Sequence, residues 1–389
     1  MKLTCERASL LEAVSLAGSL ASARAAKPIL QSLKLVAGDG YLDVLGTDLE
    51  VGVRYRVENV EVETVGETAI NASRMLGIVR ESSDDKVRME LVDRKCIIRY
   101  SDSEFDLPSD DPAEFPQIPE FTKEGQVEID RADLTDMIGR TLFAAATESS
   151  RYALNGVYFA FGNNKMELVA TDGRRLAHIE RKAKGAKAEM QSLIVPAKAL
   201  GQLQRLPARG EAQAPEEGQD EKAPKKSKGK KGAGDKVMMS VEENQVRFQS
   251  GPVLVVSQLV EGRFPPYRDV IPKDCNKKVT LDRQAFLGAV LRAALLTTEE
   301  ARSVKLAFAS QMLTLTSQAP EAGQATVQLG VQYEGEPLEI AFNPKFLEDV
   351  LKVMTESEVV MEMSDKSRPA MLKSDADYVY VVMPIHVLE

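Results

Sequence analysis

Tryptophan is absent from this chain of 389 residues, histidine occurs twice and cysteine three times. Cys5, Cys96 and Cys275 stand far apart, which provides neither a disulfide framework nor metal-ligand spacing. A reducing, cytoplasmic setting fits that usage. His178 and His386 lie in no pattern, such as HExxH, that would set two ligands on one helical face. No Gly-x-x-x-x-Gly-Lys-Ser/Thr loop and no Gly-x-Gly-x-x-Gly turn is present, so the usual backbone cradles for nucleotide phosphates are missing. The carboxylate pairs Asp84-Asp85 and Asp110-Asp111 fall in polar, turn-like stretches, where solvation is far commoner than acid-base catalysis. Neither a catalytic centre nor a metal or cofactor is therefore expected. Aromatic residues are only 5%, which argues against a stacking groove for single-stranded nucleic acid. No run approaches the roughly 18 apolar residues of a membrane span. At the start, Leu10, Val14, Ala17 and Ala21 recur at helical spacing among Glu6, Arg7 and Glu12, which predicts an amphipathic helix rather than a cleaved signal.

What is there is ordinary globular material, 43% hydrophobic and 28% charged, in a length that argues for two to four domains. Fifty basic against fifty-nine acidic residues leave a net charge of −9, so any nucleic-acid role needs its cations gathered on one face.

The chain repeats itself. Glu6-Arg7, Asp130-Arg131 and Asp282-Arg283 each open a helix-like segment with a large apolar residue three positions on, at Leu10, Leu134 and Phe286. In the first two copies a strand-like segment ending in Thr-Asp follows, DVLGTD and ELVATD, with Thr47 and Thr171 each 40 residues beyond the Arg. The third copy is degenerate, with LTLTSQ from Leu313. A second half-repeat leads into another helix start at AINASRML, IVPAKAL and IAFNPKFL, each with the Ser, Pro or Asn that a helix N-terminus prefers. Strands of period two come next, KVRMEL, KVMMSV and EVVMEM, and proline-marked exits close each unit at FPQIP, FPPYRDVIP and VVMPI.

Arg7 and Arg131 are 124 residues apart, Arg131 and Arg283 152, and removing a stretch of 28 at 209–236 makes the spacings equal. That stretch is acidic and then lysine-rich, with no large apolar residue, and reads as a solvated loop. Three domains follow: 1–125, 126–274 with the insertion at about 209–236, and 275–389.

Cations recur on the helices at spacings that share a face. Lys198 pairs with Arg205 and Lys345 with Lys352, two turns apart, while Arg74 and Arg80 occupy the corresponding segment of the first unit. Arg140 and Arg292 add to the first-half helices, and Arg24 and Lys27 follow the first helix. If these helices point one way, an acidic protein acquires a basic face of phosphate contacts without base readout.

RYALNGV (Arg151 to Val157), LVATDGRRLA (Leu168 to Ala177), LVEGRFPPYRDVIP (Leu259 to Pro272) and YVYVVMPI (Tyr378 to Ile385) closely resemble signature segments of the bacterial sliding clamp, the beta subunit of DNA polymerase III. MKLTCERASLLEAV, and PILQSLKL followed by GTDLE, extend the resemblance over nearly the whole chain outside the insertion. It implies an α+β fold of three DNA-clamp domains, each two helices packed on antiparallel sheets, with two chains closing head to tail as a dimeric ring. The implied function is that of a non-enzymatic processivity factor. Such a ring encircles double-stranded DNA regardless of sequence, is opened by an ATP-driven clamp loader, and tethers the DNA polymerase III catalytic subunit and other clamp-motif proteins. Its lining must hold weakly, since strong directional phosphate contacts would arrest sliding.

By the same resemblance, Arg24, Arg74, Arg151, Tyr152 and Lys198 face DNA, with Ala153 departing from a larger family residue. A partner-peptide pocket between the second and third domains comprises Leu154, Thr171, Gly173, Arg175, Leu176 and Pro265, together with Val270, Ser367, Val382, Met383, Pro384 and Ile385. Arg174 stands where the family often has His, and Asp269 where a basic residue can occur. The tail from His386 to Glu389 is slightly longer than the familiar ending. For ring closure, Phe105 and Leu107 on an edge strand meet Leu295 and Leu296, with Glu104 and Asp106 facing Arg302 and Lys305 as complementary charge. The competing reading is a repeat-built interaction scaffold that binds peptides without encircling DNA.

Overall fold

The computed structural model describes residues 1–22, 25, 27–122, 126–147, 152–187, 189–206, 236–298, 302–375 and 377–385. The insertion up to residue 235, Arg24, Arg151 and the tail 386–389 lie outside the described residues, and of Tyr152 the backbone alone is described. Six α-helices occur among them: α1 (Arg7–Gly18), α2 (Ala72–Glu81), α3 (Arg131–Thr141), α4 (Ala197–Gln204), α5 (Arg283–Ala294) and α6 (Pro344–Val353). Each begins where the repeat places a helix start. Four starts are capped by the residue before the helix: Asn71 accepts from the Arg74 amide, Asp130 from Ala132 and Asp133, Asp282 from Ala285 and Asn343 from Lys345. Among the described residues no helix is long and apolar enough to cross a membrane.

The acidic-Arg motif has a structural meaning. Arg7 Nε donates to the Asp84 carbonyl and Nη1 to that of Val79, both at the end of α2. Arg131 Nη2 donates to the Leu206 carbonyl, just past α4. Arg283 donates to the carbonyls of Leu351 and Glu356 at the end of α6. In every repeat the first residue of one helix thus holds carbonyls at or just past the end of the next, Val79 and Leu351 being in the last turn itself, where a cation also meets the negative pole of the helix.

The Thr-Asp repeat is equally literal. Thr47 Oγ1 donates to the Val51 carbonyl and accepts from Leu49 N, while Asp48 Oδ1 accepts from the amides of Glu50 and Val51. Thr171, Gly173, Asp172, Arg174 and Arg175 repeat every one of these bonds. The third residue of the turn needs positive φ, 87° at Gly173 and 80° at Leu49.

Two compact units hold these elements. The first comprises Met1–Leu134, Ala183–Gly185 and Lys198–Leu259, so the middle repeat contributes to both units. Its sheet has thirteen strands, and strand Val51–Glu58 of the first repeat runs antiparallel to Val253–Gln258 of the second, with Val53 opposite Val255. Helix α1 packs on this sheet through Leu10, Val14 and Ala17, and a Cβ on Gly46 would lie 2.2 Å from the Ala17 carbonyl oxygen. Gly46 is thus required by close approach, not by its dihedral angles.

The second unit comprises Thr135–Lys182, Ala186–Ala197 and Val260–Glu389. Its eight-stranded sheet contains the matching junction: Arg175–Lys182 pairs antiparallel with Tyr378–Val382, Ala177 opposite Tyr380. A four-stranded sheet, with Gly323–Gly330 as one outer strand, backs α5 through Phe286, Val290 and Ala293.

Candidate functional site

Where the second Thr-Asp turn meets the C-terminal strand, the second unit opens a cavity of about 160 Å³. Its wall comprises Leu154, Thr171, Gly173, Arg174, Arg175, Leu176, Pro265, Tyr267, Val270, Val381 and Met383. Beneath lies a packed floor of Val169, Leu176, Ile194, Phe264, Tyr267 and Val381. Tyr158 stacks on Phe264 at 4.8 Å between ring centroids. An aliphatic wall with one flexible thioether suits an apolar side chain of variable shape.

Of the twelve residues expected in a peptide pocket, eight come together on this wall: Leu154, Thr171, Gly173, Arg175, Leu176, Pro265, Val270 and Met383. Val382 does not line it. Side chains alternate along the strand, Val381 faces the cavity, and Val382 is fully buried on the other side. Ser367 lies apart on a turn, where its hydroxyl donates to Asp365. Pro384 and Ile385 are half-buried beyond the wall, Ile385 N donating to the Ala341 carbonyl. Asp269 is exposed beside Val270 without lining the cavity.

Arg175 is held by three elements. It donates to Asp172 at 3.0 Å, to Asp349 on α6 at 2.7 Å and to the Phe143 carbonyl at 2.7 Å, and its guanidinium lies over Phe346. Sequence reasoning missed Tyr267, Val381 and the polar group that orients Tyr267. The Tyr267 hydroxyl donates to Glu167 at 2.7 Å, His178 Nε2–H donates to the same carboxylate at 3.1 Å, and Arg268 forks onto both its oxygens. The hydrogen bond from His178 is the main cause holding Glu167 down at about 2, whereas burial pushes the Tyr267 phenol up to about 12. The aromatic residue in the FPPYRD exit was the one available signal for Tyr267; Glu167 and His178 join it only through the pairing of their strands.

The cations divide into free and spoken-for groups. Arg74 and Arg80 on α2 are exposed, with no ion pair among the described residues. Lys198 on α4 is bound to Asp48 of the first Thr-Asp turn. Lys345 bridges to Asp349 at 2.9 Å and Lys352 to Glu348, so α6 largely neutralises its own cations. Arg140 corrects the expectation of a basic helix face. Its side chain is only 5% exposed and is ringed by Asp136, Glu356 and Asp375.

At the expected seam, strand Glu104–Asp110 is not outermost in its sheet, because Ser109 and Asp110 pair with Ile70 and Ala69. Among the described residues its first half pairs with Lys95–Arg99 alone. There Phe105 is 38% exposed while Leu107 is buried. Leu295 is 77% exposed after α5, and Leu296 reaches within 3.9 Å of the space above Gly323, at the start of the outer strand Gly323–Gly330. The charges are engaged locally: Glu104 with Arg99, Asp106 with Lys95, and Lys305, on an inner strand, with Glu339.

Three domain models match the chain in order: the N-terminal domain of the DNA polymerase III beta subunit at residues 1–119, its central domain at 128–214 and its C-terminal domain at 268–386. The beta sliding clamp of Caulobacter vibrioides is 32% identical and that of Escherichia coli K12 30%, in both cases over the full length of each chain. A crystal structure of the Pseudomonas aeruginosa sliding clamp bound to griselimycin superposes with a TM-score of 0.89 at 29% identity, covering all of both chains. With its three repeated clamp domains of helices on antiparallel sheet, the chain belongs to the DNA polymerase III beta subunit family, the beta sliding clamps.

Proposed function

We propose that two copies of the chain close head to tail around duplex DNA and act as a processivity factor, a tether without catalysis of its own. The observation that carries this reading is the cavity on the last Thr-Asp turn: an apolar, preformed socket on a chain otherwise built of repeats. Such a socket takes the apolar anchor of a linear motif, and the tethered partner then rebinds its template at high effective concentration. The partners proposed are the DNA polymerase III catalytic subunit, other proteins with the same kind of motif, and an ATP-driven clamp loader, all in the cytoplasm at the chromosome. The domains are taken as 1–125, 126–274 and 275–389. Arg74 with Lys198 on α4, and Arg24, Arg151 and Tyr152 beside them in the proposal, contact phosphates loosely. Pairing of Lys198 with Asp48 supports a weak hold, because each phosphate contact must displace an internal carboxylate. The seam is proposed where the open half of strand Glu104–Asp110, with Phe105 and Leu107, adds to the outer strand beside Leu295 and Leu296.

The test is retention on nicked circular duplex DNA after loading with the cognate loader and ATP, half of the sample then being linearised. Protein that stays on circles and leaves cut DNA is linked topologically. Equal retention on both, falling only with salt, would show binding from outside and leave a peptide-binding scaffold as the better reading.

A further inference from the structure

Two charged side chains stand on the cavity wall, and they differ in kind. Arg175 has its donors taken by Asp172, Asp349 and the Phe143 carbonyl. Arg174 is exposed and has no ion pair among the described residues. Its backbone is pinned from both sides: the amide donates to Asp172 at 2.8 Å, and the carbonyl accepts from Met383 N at 2.9 Å across the cavity wall. The root of the side chain is therefore fixed at the rim while its guanidinium is uncommitted. Asp172, the nearest carboxylate in sequence, gives one oxygen to the turn amides and the other to Arg175.

We propose that Arg174 is a specificity-determining residue, selecting, among apolar peptides that enter the cavity, those carrying a carboxylate next to the apolar anchor. The proposal rests on the reading of the cavity as a peptide socket and adds the class of peptide it prefers. An otherwise apolar wall discriminates poorly among apolar side chains, so one unpaired fork of donors at its rim carries most of the available discrimination. Exposed Asp269, beside Val270, disfavours a second carboxylate at that part of the rim. A peptide with its acidic group at Arg174 is thereby given a direction as well as a charge.

The experiment uses the full chain and three fluorescein-labelled ten-residue peptides sharing one Leu- and Phe-containing centre, flanked by two Asp, two Ser or two Lys. Fluorescence anisotropy should give a dissociation constant about three- to tenfold lower for the Asp peptide than for the Ser peptide at low salt, in the range of a partly exposed ion pair, and a smaller gap at high salt. Arg174→Lys should keep the order Asp, Ser, Lys; Arg174→Ala should remove it, and Arg174→Glu should invert it. Native mass and far-ultraviolet circular dichroism serve as the check on folding. Equal constants for all three peptides on the unsubstituted chain, or a preference that survives in Arg174→Ala, would overturn the role of Arg174 and leave the socket standing. If no peptide binds and Val270→Glu changes nothing, the socket reading fails and the proposal with it. An Arg174→Glu chain that keeps its peptide preference but leaves circular DNA faster would assign the guanidinium to phosphate instead.

Discussion

At the residue scale the two Thr-Asp turns form a close comparison, since four hydrogen bonds are common to both while the residue at the left-handed position is Leu49 in one and Gly173 in the other. Gly173 adopts φ of 87° at no steric cost, whereas Leu49 adopts 80° with a Cβ and with 53% of its surface exposed. A left-handed L-residue costs about 1–2 kcal/mol, partly offset at Gly by about 0.5–1 kcal/mol of chain entropy. Leu49→Gly should therefore be neutral or stabilising by up to about 1 kcal/mol. Gly173→Leu should lose about 1–2 kcal/mol and distort the cavity wall; urea midpoints of the two variants compare them directly. Glu167 supplies a pH effect. Its carboxyl is held at about 2 in the folded chain, below the ordinary 4.5, so the stabilisation it gives is complete above about 4.5 and is lost as pH falls towards 2. Denaturation midpoints of the native chain should drop through that window more steeply than those of Glu167→Gln. Parallel curves would mean that His178, Tyr267 and Arg268 do not stabilise the ionised carboxylate.

At the scale of elements, the fastening of one helix by the first residue of another explains why the acidic-Arg pattern was legible. The signal is local in sequence and recurs three times, although its partners are not local: Asp130 and Asp282 cap the helix they precede, and each Arg reaches carbonyls about 70 residues on. Replacing Arg283 by Met keeps the apolar stem and removes the donors to Leu351 and Glu356, which should cost about 2–3 kcal/mol, the value of hydrogen bonds from a charged group. Unchanged urea stability in Arg283→Met would refute the fastening. What was illegible follows the opposite rule. Val381 and Val382 could not be told apart because YVYVV is apolar on both faces, and the alternation that assigns a side vanishes in a strand buried on both. Arg140 shared the helical spacing of a solvent-facing cation, but the carboxylates that bury it, Glu356 and Asp375, lie more than 200 residues away. Tyr267 escaped notice because its hydroxyl finds Glu167 100 residues earlier.

For the whole molecule, a net charge of −9 sits beside a proposed hold on an anionic polymer, and local pairing reconciles the two. Lys198, Lys345 and Lys352 are neutralised by neighbours, whereas Arg74 and Arg80 on α2 are exposed and have no ion pair among the described residues. Closure of the proposed ring depends instead on apolar side chains at the open strands. Leu295→Asp or Phe105→Asp should shift the native mass at low micromolar concentration from twice 42.6 kDa to a single chain. Persistence of the larger mass in both variants would place the seam elsewhere.

The grip of Arg131 on the Leu206 carbonyl has one more consequence, for protein engineering. Leu206 and Lys236 flank the lysine-rich insertion, and both are tied to the same few residues: Leu206 to Arg131, Lys236 to Glu128 by an ion pair and to Asp130 across the strand ladder. With the two ends anchored at one place, the segment between them is a port. For a loop whose ends are already held together, doubling its length costs only about 0.6 kcal/mol. A fluorophore tag, an affinity handle or a whole reporter domain can be spliced there while the repeats, the cavity and the proposed seam keep every contact they have.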